Sequence, residues 1–421
     1  MKRCKAFKET ISEIHELIRM YEFVIENRLS PRYFSREGKI GFENTIMMLL
    51  NFMKKSSQTE INNFFERIIK NKDAVRKQSY EEARKKVSHK AFVSLFDTSV
   101  KNGLSIEDSI LYLGFRLLAI DGSTLLLEKT NELFKYFGPT TPSKGDVYAR
   151  ISMVCDILNN FIVDADIKPY SQGEQKIAIS HIEQIKRLKI DNALFLMDRG
   201  YWSPKLISNI CDNGNKFLIR MSSAACKFIT ESKNNSGNFI LKHEKKQYSL
   251  RFYKFALPSG EIEILATNID IDVIPDEKLS ELYFLRWGIE TKYDQIKSKL
   301  QLENFTGKSV LAVLQDFYAT IFLSNLISFA QYVSDDMIAS KNMHSNLKYP
   351  YKTNINQAIG ILKDKLVIAL LEDRPKKREK LLNSIFNNIS KNSIPIRPNR
   401  HAIRKVSAVK FRKRAVSKIT L

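Results

Sequence analysis

Apolar and polar positions along this 421-residue chain predict strands in its middle and helices at both ends. Residues 115–129, 148–158 and 161–167 read as three successive apolar-rich strands, with Asn159-Asn160 as a tight turn between the last two. Gly173-Glu174 then opens an amphipathic helix to about Leu188, carrying Ile177, Ile179, Ile182 and Ile185 on its apolar side. The run Ala193 to Met197 is a short buried strand, Pro204 to about Asp212 a helix, and Lys216 to Arg220 another strand. From about Met221 to Asp272, alternating stretches such as Tyr248 to Tyr253 and Ile262 to Ala266 predict further β structure, with Asn234 to Gly237 as a turn. Asp276 to Leu300 reads as one helix whose Leu282, Leu285, Ile289 and Ile296 would face a core.

The amino-terminal hundred residues are different in character. Ile40 to Met53 is an apolar helix, Gln58 to Ile69 an amphipathic one, and Gln78 to Val87 a basic one containing Arg84, Lys85 and Lys86. Short helices followed by a basic helix resemble a helix-turn-helix reader of DNA, although a helical bundle with a solvated basic face fits the same letters. The stretch from Val310 to Ala330 approaches membrane-span length, but Gln315, Asp316, Ser324, Asn325 and Ser328 interrupt it, so a buried helix is expected and no membrane partner.

Chemistry enters at two aspartates. Phe115 to Ile120 runs into Asp121-Gly122-Ser123, and Ala193 to Met197 into Asp198-Arg199-Gly200-Tyr201. An ionised carboxylate at the carboxyl end of a buried strand is costly without a compensating cation or hydrogen bonds, and it stands where open α/β sheets build their sites. On an ideal helix advancing about 100° per residue, Tyr283, Arg286, Glu290 and Lys297 fall within an arc of roughly 60°. Taken alone, Arg286 and Glu290 could be a plain surface pair four residues apart. With the aspartates they make three carboxylates flanked by cations, suited to phosphodiester chemistry. Two Mg²⁺ ions held by Asp121, Asp198 and Glu290 would activate the nucleophile and stabilise the leaving oxygen, with Mn²⁺ as a substitute. Arg286 and Lys297 would grip the phosphate backbone.

These residues carry a resemblance. The spacing of Tyr283, Arg286, Glu290 and Lys297, the blocks Ala119 to Ser123 and Met197 to Tyr201, and the stretches Arg36 to Lys39, Glu303 to Lys308 and Gln315 to Ala319 resemble DDE-class transposases of the bacterial insertion-sequence-four family. The similarity runs from about residue 30 to about residue 330. It implies an α/β, ribonuclease-H-like mixed-sheet catalytic core with a β-rich insertion, plus helical N-terminal and C-terminal regions. The boundaries expected are a helical region at 1–108 for binding DNA ends, core at 109–222, insertion at 223–272, core completion at 273–335, and a helical region with a basic tail at 336–421. The resemblance further implies Asp121, Asp198 and Glu290 as the catalytic metal ligands. DNA contacts are expected at Tyr283, Arg286, Lys297, Arg84 and Lys85. The partners expected are double-stranded DNA, as terminal inverted repeats and as target, and a second copy of the chain. In the insertion, Phe252, Tyr253 or Phe255 would either stack on a flipped base or pack in the core.

Composition fits a nucleic-acid partner. The formal net charge is +22 and the pI near 9.6, which gives a strong positive field toward phosphates. After Lys391 the tail holds no Asp or Glu and is rich in Arg and Lys, as a DNA contact or as a solubilising segment. The four cysteines, Cys4, Cys155, Cys211 and Cys226, have no paired spacing, which argues against a zinc ribbon or disulfide framework and suits a reducing cytoplasm. Residues 1–29 are interrupted by charges and do not read as a signal peptide. No Gly-rich phosphate loop is present, so ATP dependence is not indicated. Two rivals remain: a structure-selective nuclease without strand transfer, and a non-catalytic DNA-binding regulator.

Overall fold

The computed structural model describes residues 2–36, 38–51, 56–70, 73–141, 145–222, 227–257, 260–343 and 347–397. Glu37, Cys226 and the basic tail from Arg400 onward lie outside the described residues. The chain forms two compact units, residues 108–295 and residues 1–107 with 296–421.

The first of these units is built on eight strands: β1 (Arg116–Leu126), β2 (Tyr148–Asp156), β3 (Phe161–Pro169), β4 (Ala193–Met197), β5 (Lys216–Met221), β6 (Ser236–His243), β7 (Lys246–Ala256) and β8 (Ile262–Thr267). They lie in one sheet in the order β3-β2-β1-β4-β5-β8-β7-β6. β1, β4 and β5 are parallel neighbours and all other pairings are antiparallel. Every residue of β4 is buried, as a central parallel strand requires. The β2–β3 turn falls at the expected Asn159-Asn160. Asn159 donates from its amide and its side chain to Asp156 at 3.0 Å, and Asn160 takes φ 51°. The helices Glu174–Arg187 and Pro204–Asp212 form where expected, the first packing on β2 and β3 and the second on β5 and β6. Ser203 accepts from the Leu206 amide as N-cap, and Pro204 fixes the first turn.

This is the α/β, ribonuclease-H-like order of elements, strand triplet, helix, strand, helix, strand, expected for residues 109–222. The β-rich insertion is continuous with it: β8 pairs with β5, so β6 to β8 widen the core sheet. Phe239, Leu250 and Phe252 are buried there, which places Phe252 in packing.

In the other unit the helices Phe42–Leu50, Ser57–Phe64 with a π-helical extension Phe65–Ile69, and Lys77–Arg84 match the three expected near the amino end. The helix Val310–Asn342 packs against Lys90–Leu104 and Lys2–Leu17, and 83% of its most apolar stretch is buried. It is a core helix of this unit. Its polar positions have internal work: Gln315 donates to the Val87 carbonyl at 2.7 Å, and Asn325 to Ser99 at 3.1 Å.

Candidate active site

Asp121 and Asp198 come together through strand register. Ile120 of β1 pairs in parallel with Met197, the last residue of β4, so an aspartate follows the final pair on each segment. Asp121 lies inside its strand, within the span 115–129 read from the sequence. β1 continues to Leu126 because β2 pairs with it throughout, while β4 stops at Met197 and leaves the other edge of β1 open beyond Asp121. Gly122 lets a third acid approach: a Cβ there would lie 3.0 Å from the Glu174 carboxylate, which is paired with Arg150.

The segment carrying Tyr283, Arg286 and Glu290 is not one regular α-helix. Asp276–Phe284 passes through a 3₁₀ turn, Leu285–Trp287, into the helix Gly288–Asp294 and then a π-helical turn, Gln295–Lys299. A uniform 100° advance therefore does not hold, and the arc drawn from the sequence is replaced by two changes of helical pitch. The helix Gly288–Asp294 packs on β1. Gly288 makes a close approach possible, since a Cβ there would sit 2.8 Å from Ile157 Cγ2.

Arg286 lies within the field of all three predicted acids. It is 6% exposed and donates from Nη2 to Glu290 Oε1 at 3.1 Å. Burial alone would lower its pKa, but Tyr283, Glu290, Asp121 and Asp198 together hold it above the ordinary guanidinium value. Its Cζ lies 5.7 Å from the Tyr283 ring centre and 5.6 Å from that of Trp287. Burial pushes the Asp121 carboxyl up to about 6, with the Gly122 amide and Arg286 opposing and Glu290 and Glu174 adding to the rise. Asp198 goes the other way. Burial would raise it, but the Arg199 amide and the Arg220 guanidinium, 2.8 Å from Oδ1, hold it below the usual carboxylate range. Arg220 also donates to Glu263 at 2.6 Å, and the Tyr283 hydroxyl lies 3.4 Å from Asp198 Oδ1.

Among the described residues no three Asp, Glu, His or Cys side chains stand close enough to form a ready-made metal cage. What converges is hard-oxygen donors around one buried guanidinium. The donor chemistry fits Mg²⁺ or Mn²⁺, which take carboxylates with waters and substrate oxygens completing the shell. Asp121, raised by burial and by two neighbouring acids, is a carboxyl whose ionisation a divalent cation would favour.

The predicted DNA contacts divide. Tyr283 is 3% exposed and turns its hydroxyl toward Asp198, so both it and Arg286 face carboxylates rather than solvent. Arg84 is a correction. It is buried and spends its guanidinium inside the protein, on Gln315 at 2.7 Å, the Ala312 carbonyl at 2.8 Å, Asp316 at 2.9 Å and Thr306. Lys85, one residue on, is exposed and 2.7 Å from Glu82. Lys297 belongs to the other compact unit and lies 3.9 Å from Glu303. Sequence reasoning missed Glu174, Arg220 and Tyr293. Only Glu174 had a local signal, as the first residue of its helix.

An aspartate follows the last parallel pair of β1 and β4, and the helix bearing Glu290 packs on β1, all within one mixed α/β sheet unit. The family model described as "Transposase DDE domain" matches residues 113–326, and the chain belongs to that family. It is 24% identical over 235 residues to the transposase InsG for insertion sequence element IS4 of Escherichia coli, covering 51% of this chain and 52% of that one. It thus spans about half the length of that relative. It is 23% identical over 283 residues to a putative transposase for insertion sequence element IS4SA of a Synechocystis species, covering 66% of this chain and 78% of that one. Among solved structures, a piggyBac transposase synaptic complex with hairpin DNA is similar over 90% of this chain and 85% of that one, with a TM-score of 0.49 and 13% identity.

Proposed function

We propose that this protein is a DNA transposase that cuts at transposon ends and joins them to target DNA. The observation that carries the reading is the parallel register of Ile120 with Met197, which sets Asp121 beside Asp198 under the field of an arginine that also holds Glu290. Asp121, Asp198 and Glu290 would hold divalent magnesium, with manganese as a substitute. When bound, the metal supplies charge stabilisation at the attacking and leaving oxygens of the phosphodiester.

The chain's own residues do the rest. Arg220 and Tyr283 orient Asp198, and Arg286 balances the acids before the metal enters. Lys85, Lys297 and the basic composition as a whole hold the DNA backbone by displacing counterions. Water attacks the phosphorus at the transposon end and releases a 3′ hydroxyl. That hydroxyl then attacks a target phosphodiester, forming one P–O bond as another breaks, with no covalent enzyme intermediate. Joining two ends in concert calls for two copies of the chain on paired ends, acting on DNA in the cytoplasm.

The test is Glu290→Gln, offered labelled terminal-repeat DNA and plasmid target with Mg²⁺. End binding should persist while cleavage and joined product disappear. Cleavage retained by the purified variant overturns the assignment. Cleavage without joined product in the unaltered protein favours a nuclease, and binding with neither favours a regulator.

A further inference from the structure

We propose that Tyr293 is a positioning residue that fixes the spacing between Asp121 and Glu290, and so tunes the affinity of the site for its divalent ion. The proposal rests on the assignment of those two carboxylates as ligands. Tyr293 lies three residues after Glu290 in the short helix Gly288–Asp294. Its hydroxyl donates to the main-chain carbonyl of Asp121 at 2.8 Å. One hydrogen bond thus ties the helix bearing one acid to the strand bearing the other.

The surroundings commit that phenol to this bond. Tyr293 is buried, so its hydroxyl is held away from competing solvent. Another hydroxyl lies near the same carbonyl, that of Ser152, at 3.3 Å. Ser152 has a closer partner in His181. His181 Nδ1 sits 2.7 Å from Asp164 Oδ2 and, donating there, leaves Nε2 to accept from Ser152 at 3.0 Å. At 2.8 Å the Tyr293 hydroxyl is the closer of the two donors to the Asp121 carbonyl. Because the tether ends on the main chain, it sets where Asp121 stands without occupying a carboxylate oxygen. The missing side chain at Gly288 allows the helix to come close enough for it.

Residues that orient metal ligands typically change metal affinity or activity by about 10–100-fold when altered. In the full chain bound to terminal-repeat DNA, Tyr293→Phe should weaken Mn²⁺ binding, followed by electron paramagnetic resonance, by about tenfold. Half-maximal cleavage should move to correspondingly higher Mg²⁺, with the rate at saturating metal within about twofold of the unaltered protein. Ser152→Ala should leave both metal curves within about twofold, since its hydroxyl lies farther from the Asp121 carbonyl than that of Tyr293. If Tyr293→Phe does not fold, Gly288→Ala reads the same spacing by pressing the helix off Ile157, and should shift the Mn²⁺ curve in the same direction. Metal curves unchanged in the folded variant overturn the tether. Normal Mn²⁺ binding and cleavage by Glu290→Gln would instead overturn the ligand assignment, a separate failure.

Discussion

Arg286 donates to Glu290 across 3.1 Å, and the same guanidinium lies in the field of Asp121 and Asp198. Glu290 acts on Asp121 as a like charge and raises its pKa. A buried cation among them stabilises the metal-free protein, and a divalent ion would later share that task.

Replacing Arg286 by Gln should therefore destabilise the metal-free protein. Losing one partner of a buried ion pair costs about 3–5 kcal/mol; here the Glu290 side chain is 36% exposed, so on the order of 2–3 kcal/mol is expected. Thermal melts with and without Mg²⁺ check the point. The variant should gain more from the ion than the unaltered protein does, and equal gains would show that Arg286 does not balance the acids.

Asp121 gives the site a pH signature. Its carboxyl is raised to about 6 in the folded protein, against roughly 3.9 for an unfolded aspartate. A raised acid stabilises the fold fully below its unfolded pKa and loses that contribution as pH climbs through the folded value. The metal-free protein should thus give up on the order of 2–3 kcal/mol at this residue between about pH 4 and pH 7. Asp121→Asn, which cannot ionise, should match the unaltered protein near pH 4 in urea unfolding, pull ahead of it between about pH 4 and pH 6, and keep a constant lead above about pH 7. A difference constant across that whole range would contradict the assignment.

The sheet was legible because its strands are short apolar runs with clear ends, and each aspartate follows one. Periodicity located the helices for the same reason, that burial of one face leaves a repeat in the letters. What stayed hidden depends on partners distant in sequence. β4 stops at Met197 while β1 runs on to Leu126 paired with β2, a difference set by which neighbour each strand finds. The 3₁₀ and π-helical turns on either side of Glu290 leave no mark in the apolar repeat, and the Tyr293 tether spans 172 positions. The pairing of β8 with β5 likewise joins segments that looked like separate modules.

Arg84 and Lys85 test the same limit on the surface. Both looked like groove contacts on one basic helix, yet the fold turns Arg84 inward to Asp316, 232 residues away, and leaves Lys85 in solvent. Arg84→Ala would leave the buried Asp316 carboxylate without its cation and cost about 3–5 kcal/mol of stability. Any loss of DNA binding it causes should follow unfolding and disappear when binding is compared at temperatures where both proteins are folded. Lys85→Ala should leave the melting temperature nearly unchanged, because an exposed pair such as Lys85 with Glu82 contributes little. If Lys85 touches a phosphate, the variant should bind terminal-repeat DNA more weakly and reduce the slope of log affinity against log salt by about 1. An unchanged salt slope for Lys85→Ala would move the DNA contact off this helix altogether.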